Sequence, residues 1–333
     1  MYVKKMVSPK IIWYFSRLPL LVFTLLATFA YVSYARYKLA FIAIPFLPVA
    51  TVGTAVAFYV GFKNNASYER LWEARKIWSE IEHLCRFWAI ILTQARVRDK
   101  SGVEQNFYLC RQLVYQQLAW VNSLRFELRN EFTFVDVDER VSHVKLVSTL
   151  GDEEKQELRH IITNYSAAAE LPEVSNQTMS VMFLAKQASD LNRLRDEGLS
   201  GEEYGKLLDI LNECSKQQSA AQRINRFPFP RQYAHFSAMF VYIFIALLPF
   251  SLVNELAKND PTMLWLTVPI SVLLSWVFYT MEKVGDTSEN PFENGLNDVP
   301  ITSICRDIEI ELKALLGEAV LPERLQAKEG VLL

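Results

Sequence analysis

Glycine is scarce in this chain, 11 of 333 residues, and histidine and cysteine number only 4 each. A phosphate cradle needs glycines that let the backbone close on the ligand, and neither G-x-x-x-x-G-K nor G-x-G-x-x-G occurs. H-E-x-x-H and G-x-S-x-G are absent too, which removes the common zinc-hydrolase and serine-hydrolase signatures. Cys85, Cys110, Cys214 and Cys305 are widely separated and form no C-x-x-C pair, so they read as reduced thiols that fill helix packing. There is no excess of charge: 35 Lys and Arg stand against 37 Asp and Glu, a formal net charge of −2. A general nucleic-acid binder needs a concentrated basic face to displace counterions, and the balance argues against one. Internal repeats, low-complexity tracts and alternating strand patterns of useful length are missing as well.

What the chain does have is apolar sequence, 51% of all residues, beside 22% charged ones. That mixture predicts a protein part membrane and part water-soluble. Four uncharged spans stand out: Leu18–Tyr34, Ala40–Phe62, Phe236–Val253 and Met263–Met281. Each is close to the roughly 17 to 25 residues a helix needs to cross the hydrocarbon core. A secretory signal would also begin with a basic start and an apolar run, but the second span comes almost at once after the first. Orientation is set by the short flanks. Lys4, Lys5, Lys10 and Arg17 precede the first span, against Arg36 and Lys38 in the first turn and Lys258 in the second, which predicts cytoplasmic N- and C-termini.

The expected organisation is a cytosolic segment over 1–17, two membrane helices over 18–62, a helical cytosolic domain over 63–234, two membrane helices over 235–281 and a cytosolic C-terminal segment over 282–333. Ile77, Trp78, Ile81, Leu84, Cys85, Trp88, Ile91 and Leu92 recur at helical spacing. Further helices are expected at Phe107–Phe126, Glu153–Tyr165, Thr178–Glu197, Glu202–Ile224 and Ile301–Leu316. Breaks fall at Ser101-Gly102, Leu171-Pro172, Gly198 to Gly201 and Pro228-Phe229-Pro230. The fold class predicted is all-α.

Two Glu-x-x-His units, Glu80 with His83 and Glu157 with His160, are the nearest approach to enzyme chemistry, because di-metal carboxylate bundles use a pair of them. Glu80 and His83 lie off the apolar helix face, and Glu157 sits in an acidic, solvated run. The loop Gly285–Gly295 is rich in carboxylate and amide oxygens that suit a hard cation, but it lacks EF-hand spacing. On the second span Thr54, Phe58 and Phe62 recur every four residues among Gly53, Ala55, Ala57 and Gly61. Several copies of such a helix around an axis would make a hydrophobic constriction; alone, the stripe equally suits lipid or core packing.

The run Gly61-Phe62-Lys63-Asn64-Asn65-Ala66-Ser67-Tyr68-Glu69-Arg70-Leu71-Trp72-Glu73-Ala74-Arg75-Lys76 closely resembles the signature of the bestrophin family of ion channels in its bacterial branch. The resemblance extends to the Phe-Pro-Phe-Pro lead into the third span, to Val284-Gly285-Asp286, to Glu289-Asn290-Pro291-Phe292-Glu293 and to Asn297-Asp298-Val299-Pro300. It implies a homopentamer in a bacterial inner membrane, with the lipid bilayer and small monovalent ions as partners, and neither cofactor nor nucleic acid. It carries a pore neck onto Thr54, Phe58 and Phe62, with Thr54 standing where the family has an aliphatic side chain. Counting back from Pro230, it carries a cytosolic aperture to the neighbourhood of Glu202 and Glu203. The family favours chloride and related anions; an acidic ring at the aperture would instead favour monovalent cations. Animal members continue Asn-Pro-Phe with a run of aspartates that clasps calcium, and Glu293, Asn294, Gly295 and Leu296 stand here instead. A metal-dependent membrane enzyme built on the Glu-x-x-His pairs and a membrane-anchored scaffold are the readings from other classes.

Overall fold

The computed structural model describes residues 1–94, 105–130, 165, 179–227, 229–293, 295, 297–328 and 330–332. Among them the structure is helical: α1 Pro9–Ala35, α2 Phe46–Gln94, α3 Gln105–Asn130, α4 Met179–Asp196, α5 Gly201–Arg226, α6 Arg231–Asn259, α7 Thr267–Thr287 and α8 Ile301–Leu315. Strand-like pairing among the described residues is limited to isolated bridges of Val331 with Tyr2 and Lys328. The expected helix over Glu153–Tyr165, the break at Leu171-Pro172 and the unit of Glu157 and His160 lie outside the described residues, Tyr165 excepted.

Four helices are long and apolar enough to cross a membrane: Ile12–Ala35, the segment that begins at Phe46, Arg231–Lys258 and Pro261–Thr287. Their limits differ from the sequence expectation in ways that local chemistry explains. α1 starts at Pro9, ahead of Leu18, because proline at the first helical turn gives up an N–H that has no intrahelical partner there. The second span does not begin at Ala40. Residues Ala40–Ile42 form a short 3-10 turn, and the α-helix starts at Phe46 after Pro45. The carbonyl of Ile44 in the connecting loop accepts a hydrogen bond from Asn254 Nδ2 at 2.9 Å, so this break is satisfied by α6. The fourth span likewise opens with a 3-10 stretch, Pro261–Leu266, capped by Asp260, whose Oδ1 accepts from the Thr262 amide at 2.9 Å and hydroxyl at 2.7 Å.

At Lys63, where the sequence changes from apolar to charged, the helix does not stop: α2 runs over 49 residues to Gln94. At a rise of 1.5 Å per residue that is a rod of about 74 Å.

The chain forms two units, one of Lys4–Arg70 and Phe229–Glu289, the other of Met1–Val3, Leu71–Pro228 and Asn290–Leu333. The first, here the membrane unit, holds α1, the start of α2, α6 and α7 around Phe23, Val49, Val56, Val60, Val241, Phe244, Ile245 and Leu248. Trp276 Nε1 donates to Ser16 Oγ at 2.9 Å, and Phe23 meets Tyr279 edge to face. In the second, the bundle unit, Trp78, Ile81 and Trp88 of α2 pack with Leu113, Trp120 and Leu124 of α3, Phe183 and Leu191 of α4, Leu207 of α5 and Ile308 of α8. All four cysteines are free and buried, as their scatter led us to expect. Gln117 Nε2 lies 3.4 Å from the sulfurs of both Cys85 and Cys214. Burial pushes the Cys214 thiol up to about 12 and Cys110 to about 11, which leaves them protonated and unreactive.

Buried polar groups in the bundle unit are tied together. Glu127 accepts from the Ser180 amide at 2.8 Å, from the Ser180 hydroxyl at 2.6 Å and from Gln222 Nε2 at 3.3 Å. Gln218 donates to the Ser180 hydroxyl at 2.9 Å and accepts from Trp120 Nε1 at 2.8 Å. The loop after α7 is also closed by its own residues. Phe292 is buried in the bundle core, the Val299 amide donates to the Pro291 carbonyl at 3.0 Å, and Asn290 Nδ2 donates to Glu293 Oε1 at 2.8 Å. Asp298 Oδ2 accepts from the Gly295 amide at 2.8 Å. Burial pushes the Asp298 carboxyl up to about 7, with the charge of Glu293 adding to the shift and the hydrogen bond from Gly295 opposing it.

Candidate pore face and the polar cluster behind it

A helix that buries only part of its circumference leaves the rest to another phase, and α2 does this in the membrane unit. Val49, Val56 and Val60 face the unit's core. The other side carries Thr54, with Phe58 and Phe62 exposed to 67% and 65%. For a phenylalanine such exposure is costly in water, so the face belongs against lipid, a neighbouring chain or a constriction that water enters reluctantly. The Thr54 hydroxyl does not wet the stripe, because it donates back to the Ala50 carbonyl at 3.0 Å. Gly61 has open space where a side chain would begin, so the rings of Phe58 and Phe62 have no bulky neighbour between them on that side. Phe46, Ala50, Ala57, Phe244, Leu248 and Phe278 complete an apolar groove of about 780 Å³ along this face.

The opposite side of the same turn is polar and sealed. Lys63 comes directly after Phe62, yet its side chain is 0% exposed. Its Nζ donates to Glu282 Oε1 and to Asp286 Oδ1 of α7, each at 2.5 Å. Glu282 Oε2 in turn accepts from Ser237 Oγ of α6 at 2.6 Å, and Lys283 pairs with Asp286 at 3.1 Å. Asn64 Nδ2 donates to the Met281 carbonyl at 3.0 Å. Gly285 leaves room at this crossing, for a Cβ there would displace the Asn64 amide oxygen and lie 3.5 Å from Lys63 Cε. In the sequence Lys63 opens the charged stretch that follows the second span, and nothing beside it in the sequence announces that its side chain is buried. The available signal was complementary charge: a lone cation closes one uncharged span while Glu282 and Asp286 stand just past the end of another.

The remaining residues of the family-like junction serve several roles. Asn65 Nδ2 donates to Glu69 Oε1 at 2.8 Å, Ser67 is buried, and Tyr68 and Trp72 are exposed. Arg70 is half-buried and Arg75 exposed, and Glu73 pairs with Arg223 at 2.6 Å within the bundle unit. Glu202 and Glu203 stand in the first turn of α5. The Ser200 hydroxyl accepts from the Glu203 amide at 3.2 Å and donates to its carboxylate at 2.6 Å, so Ser200 caps the helix within a Ser-x-x-Glu sequence of capping-box type. Glu202 pairs with Lys206 at 2.6 Å, and that ammonium holds its carboxyl below the usual range. Glu80 and His83 are both exposed. No group of three or more His, Cys, Asp or Glu that could hold a metal exists among the described residues.

The chain is similar to known proteins over most of its length. The family model described as "Bacterial/Fungal Bestrophin protein" matches residues 4–314. The voltage-dependent anion channel-forming protein YneE of Escherichia coli K12 is 27% identical over 278 residues, 84% of this chain and 79% of the relative. Its counterpart in Salmonella typhi is 28% identical over 290 residues, 86% of this chain and 82% of the relative. Among solved structures, a bacterial Bestrophin homolog from Klebsiella pneumoniae superposes with a TM-score of 0.70 at 25% identity, covering 90% of this chain and 98% of that one.

Proposed function

The chain belongs to the bacterial and fungal bestrophin family, and from that membership we propose that five copies assemble around a central pore that passes small monovalent anions. It is a membrane protein of a channel family and not an enzyme. The observation that carries the proposal is the exposed stripe of Thr54, Phe58 and Phe62 on the part of α2 that belongs to the membrane unit. Five such stripes around an axis form a neck whose walls offer no hydrogen bonds, so the free energy of the water column governs passage. The relatives' designation as anion channel-forming proteins supports the sign of the permeant ion. We assign the protein to the bacterial inner membrane with both termini in the cytoplasm, on the excess of lysine and arginine before the first span.

The cytosolic exit is assigned to the start of α5, at Glu202 and Glu203. There Lys206 pairs with Glu202, while the Glu203 carboxylate is held by the Ser200 hydroxyl, so one of the two acids at that level is offset by a cation. The anion reading therefore rests on the relatives and not on this level, where a ring of Glu203 would favour cations. Two measurements test the proposal. Light scattering of the purified protein in detergent is expected to give five chains of 38.4 kDa. In planar bilayers under a salt gradient, the reversal potential is expected to track the anion. A monomer or dimer overturns the assembly, and a potential that tracks the cation overturns the selectivity and gives Glu203 the role of a cation filter.

A further inference from the structure

We infer that the polar cluster of Lys63, Glu282, Asp286 and Ser237 is a positioning lock for the neck: it fixes the rotation of α2 about its own axis and thereby sets how far Phe58 and Phe62 project. The inference rests on the neck assignment above, and it gives a role to the pair of Lys63 and Glu282, whose side chains are buried. Lys63 is one residue past Phe62, about 100° further around the helix, so the two side chains turn as one rigid body. A rotation of about 20° moves a side chain at the helix surface, about 5 to 6 Å from the axis, by roughly 2 Å. That displacement is enough to wet or close a constriction lined by phenylalanine.

α2 is held against such a rotation at two heights. At the upper one, Gly53 lets the backbone meet Phe244 of α6 so closely that a Cβ would lie 2.6 Å from the ring. Ten residues on, about 15 Å along the axis, the Lys63 ammonium reaches two carboxylates of α7 at 2.5 Å, and Ser237 of α6 holds the far oxygen of Glu282 at 2.6 Å. Asn64 adds a bond to the α7 backbone at 3.0 Å, and the lack of a side chain at Gly285 allows the approach. Apolar contacts alone tolerate sliding, because one methyl group replaces another at little cost. A buried ion pair is different. Its favourable energy depends on close geometry, and moving either charge strands both away from water, which is how buried charges specify one register among several packings. Two cations, Lys63 and Lys283, face two anions, Glu282 and Asp286, so the cluster is balanced and needs no external ion.

The test uses the full-length channel reconstituted in planar bilayers, with unitary conductance and the largest permeant anion in a series from chloride to gluconate as readouts. Lys63→Met is expected to change unitary conductance by about twofold or more and to raise the size limit, and Lys63→Arg, which keeps a cation against both carboxylates, to stay nearer the parent in both. Asp286→Asn and Ser237→Ala leave the Lys63–Glu282 pair in place, so they assemble and decide the matter should Lys63→Met fail to do so; each is expected to shift the size limit in the same direction by less. Assembled Lys63→Met, or in its absence Asp286→Asn and Ser237→Ala, with the parent's conductance and size limit overturns the lock, even where thermal stability has fallen, since a merely structural role lowers stability alone. Phe58→Ala and Phe62→Ala in the same series separate the two ideas: if they alter conductance while the cluster variants do not, the neck stands and the lock fails; if they too leave it unchanged, the neck itself is wrong.

Discussion

One helix, α2, obeys opposite rules at its two ends. In the bundle unit Trp78 and Trp88 are fully buried while Arg75, Lys76 and Glu80 are exposed, the arrangement water imposes. In the membrane unit Phe58 and Phe62 are exposed while Lys63 is sealed inside among carboxylates. The covalent rod is the same, so the inversion reports the surroundings. Where the outside is lipid or a narrow pore, an exposed ring costs little, and a charge is stable only if its partners come from within. The two halves therefore differ in what α2 leaves outside, charges in one and phenylalanine rings in the other.

The largest expected effect sharpens that contrast. Trp88→Ala empties a fully buried site in the bundle core and should cost about 3 to 5 kcal/mol, whereas Phe29→Ala on α1, where the ring is 62% exposed, should cost below about 1 kcal/mol. Thermal unfolding of the detergent-solubilised protein, monitored by circular dichroism, compares them; equal losses would break the distinction between the two phases. Asp298 comes next. Its folded value of about 7 lies above the ordinary 3.8, so the native state holds a proton between those values that the unfolded chain has released. Stability from this group is then greatest below about pH 4, falls as pH rises toward 7 and is flat above, a change on the order of 1 to 4 kcal/mol. Asp298→Asn should remove that slope, which chemical denaturation at several pH values would reveal, and an unchanged slope would exclude the buried carboxyl as its source.

Glu127→Ala leaves the Ser180 amide and Gln222 without their buried acceptor, for an expected loss of about 1 to 3 kcal/mol. At the small end is Arg223→Ala. Its pair with Glu73 is exposed, and such pairs contribute below about 1 kcal/mol, so a melting shift comparable to that of Glu127→Ala would mean that this contact is part of a wider network.

How much of this could be read in the sequence depends on which residues encode their surroundings locally. The apolar period from Ile77 to Leu92 and the four thiols announced the bundle core because burial in water selects apolar side chains at helical spacing. Pro300 and the Gly198 to Gly201 break marked the edges of α8, α4 and α5 in the same local way. The start of α2 was misplaced, since Ala40–Ile42 is as apolar as the helix beyond Phe46 and only Pro45 hints at the break. The burial of Lys63 was illegible for a deeper reason. A lone lysine after an uncharged span looks like the water boundary, and its partners lie 219 and 223 residues away, beyond any local pattern. Glu202 and Glu203 were singled out by counting, and the Ser-x-x-Glu capping sequence from Ser200 to Glu203 was equally visible in that stretch.

The role of the exposed rings decides whether α2 lines a pore. Unitary currents of assembled Phe58→Ala and Phe62→Ala channels in planar bilayers address it directly, because each change removes one ring that is about two-thirds exposed. The neck predicts larger unitary conductance or higher open probability in both, at yields of assembled protein close to the parent's. Channels of either variant that match the parent in both quantities would contradict it, and would return the stripe on α2 to lipid or to packing between chains.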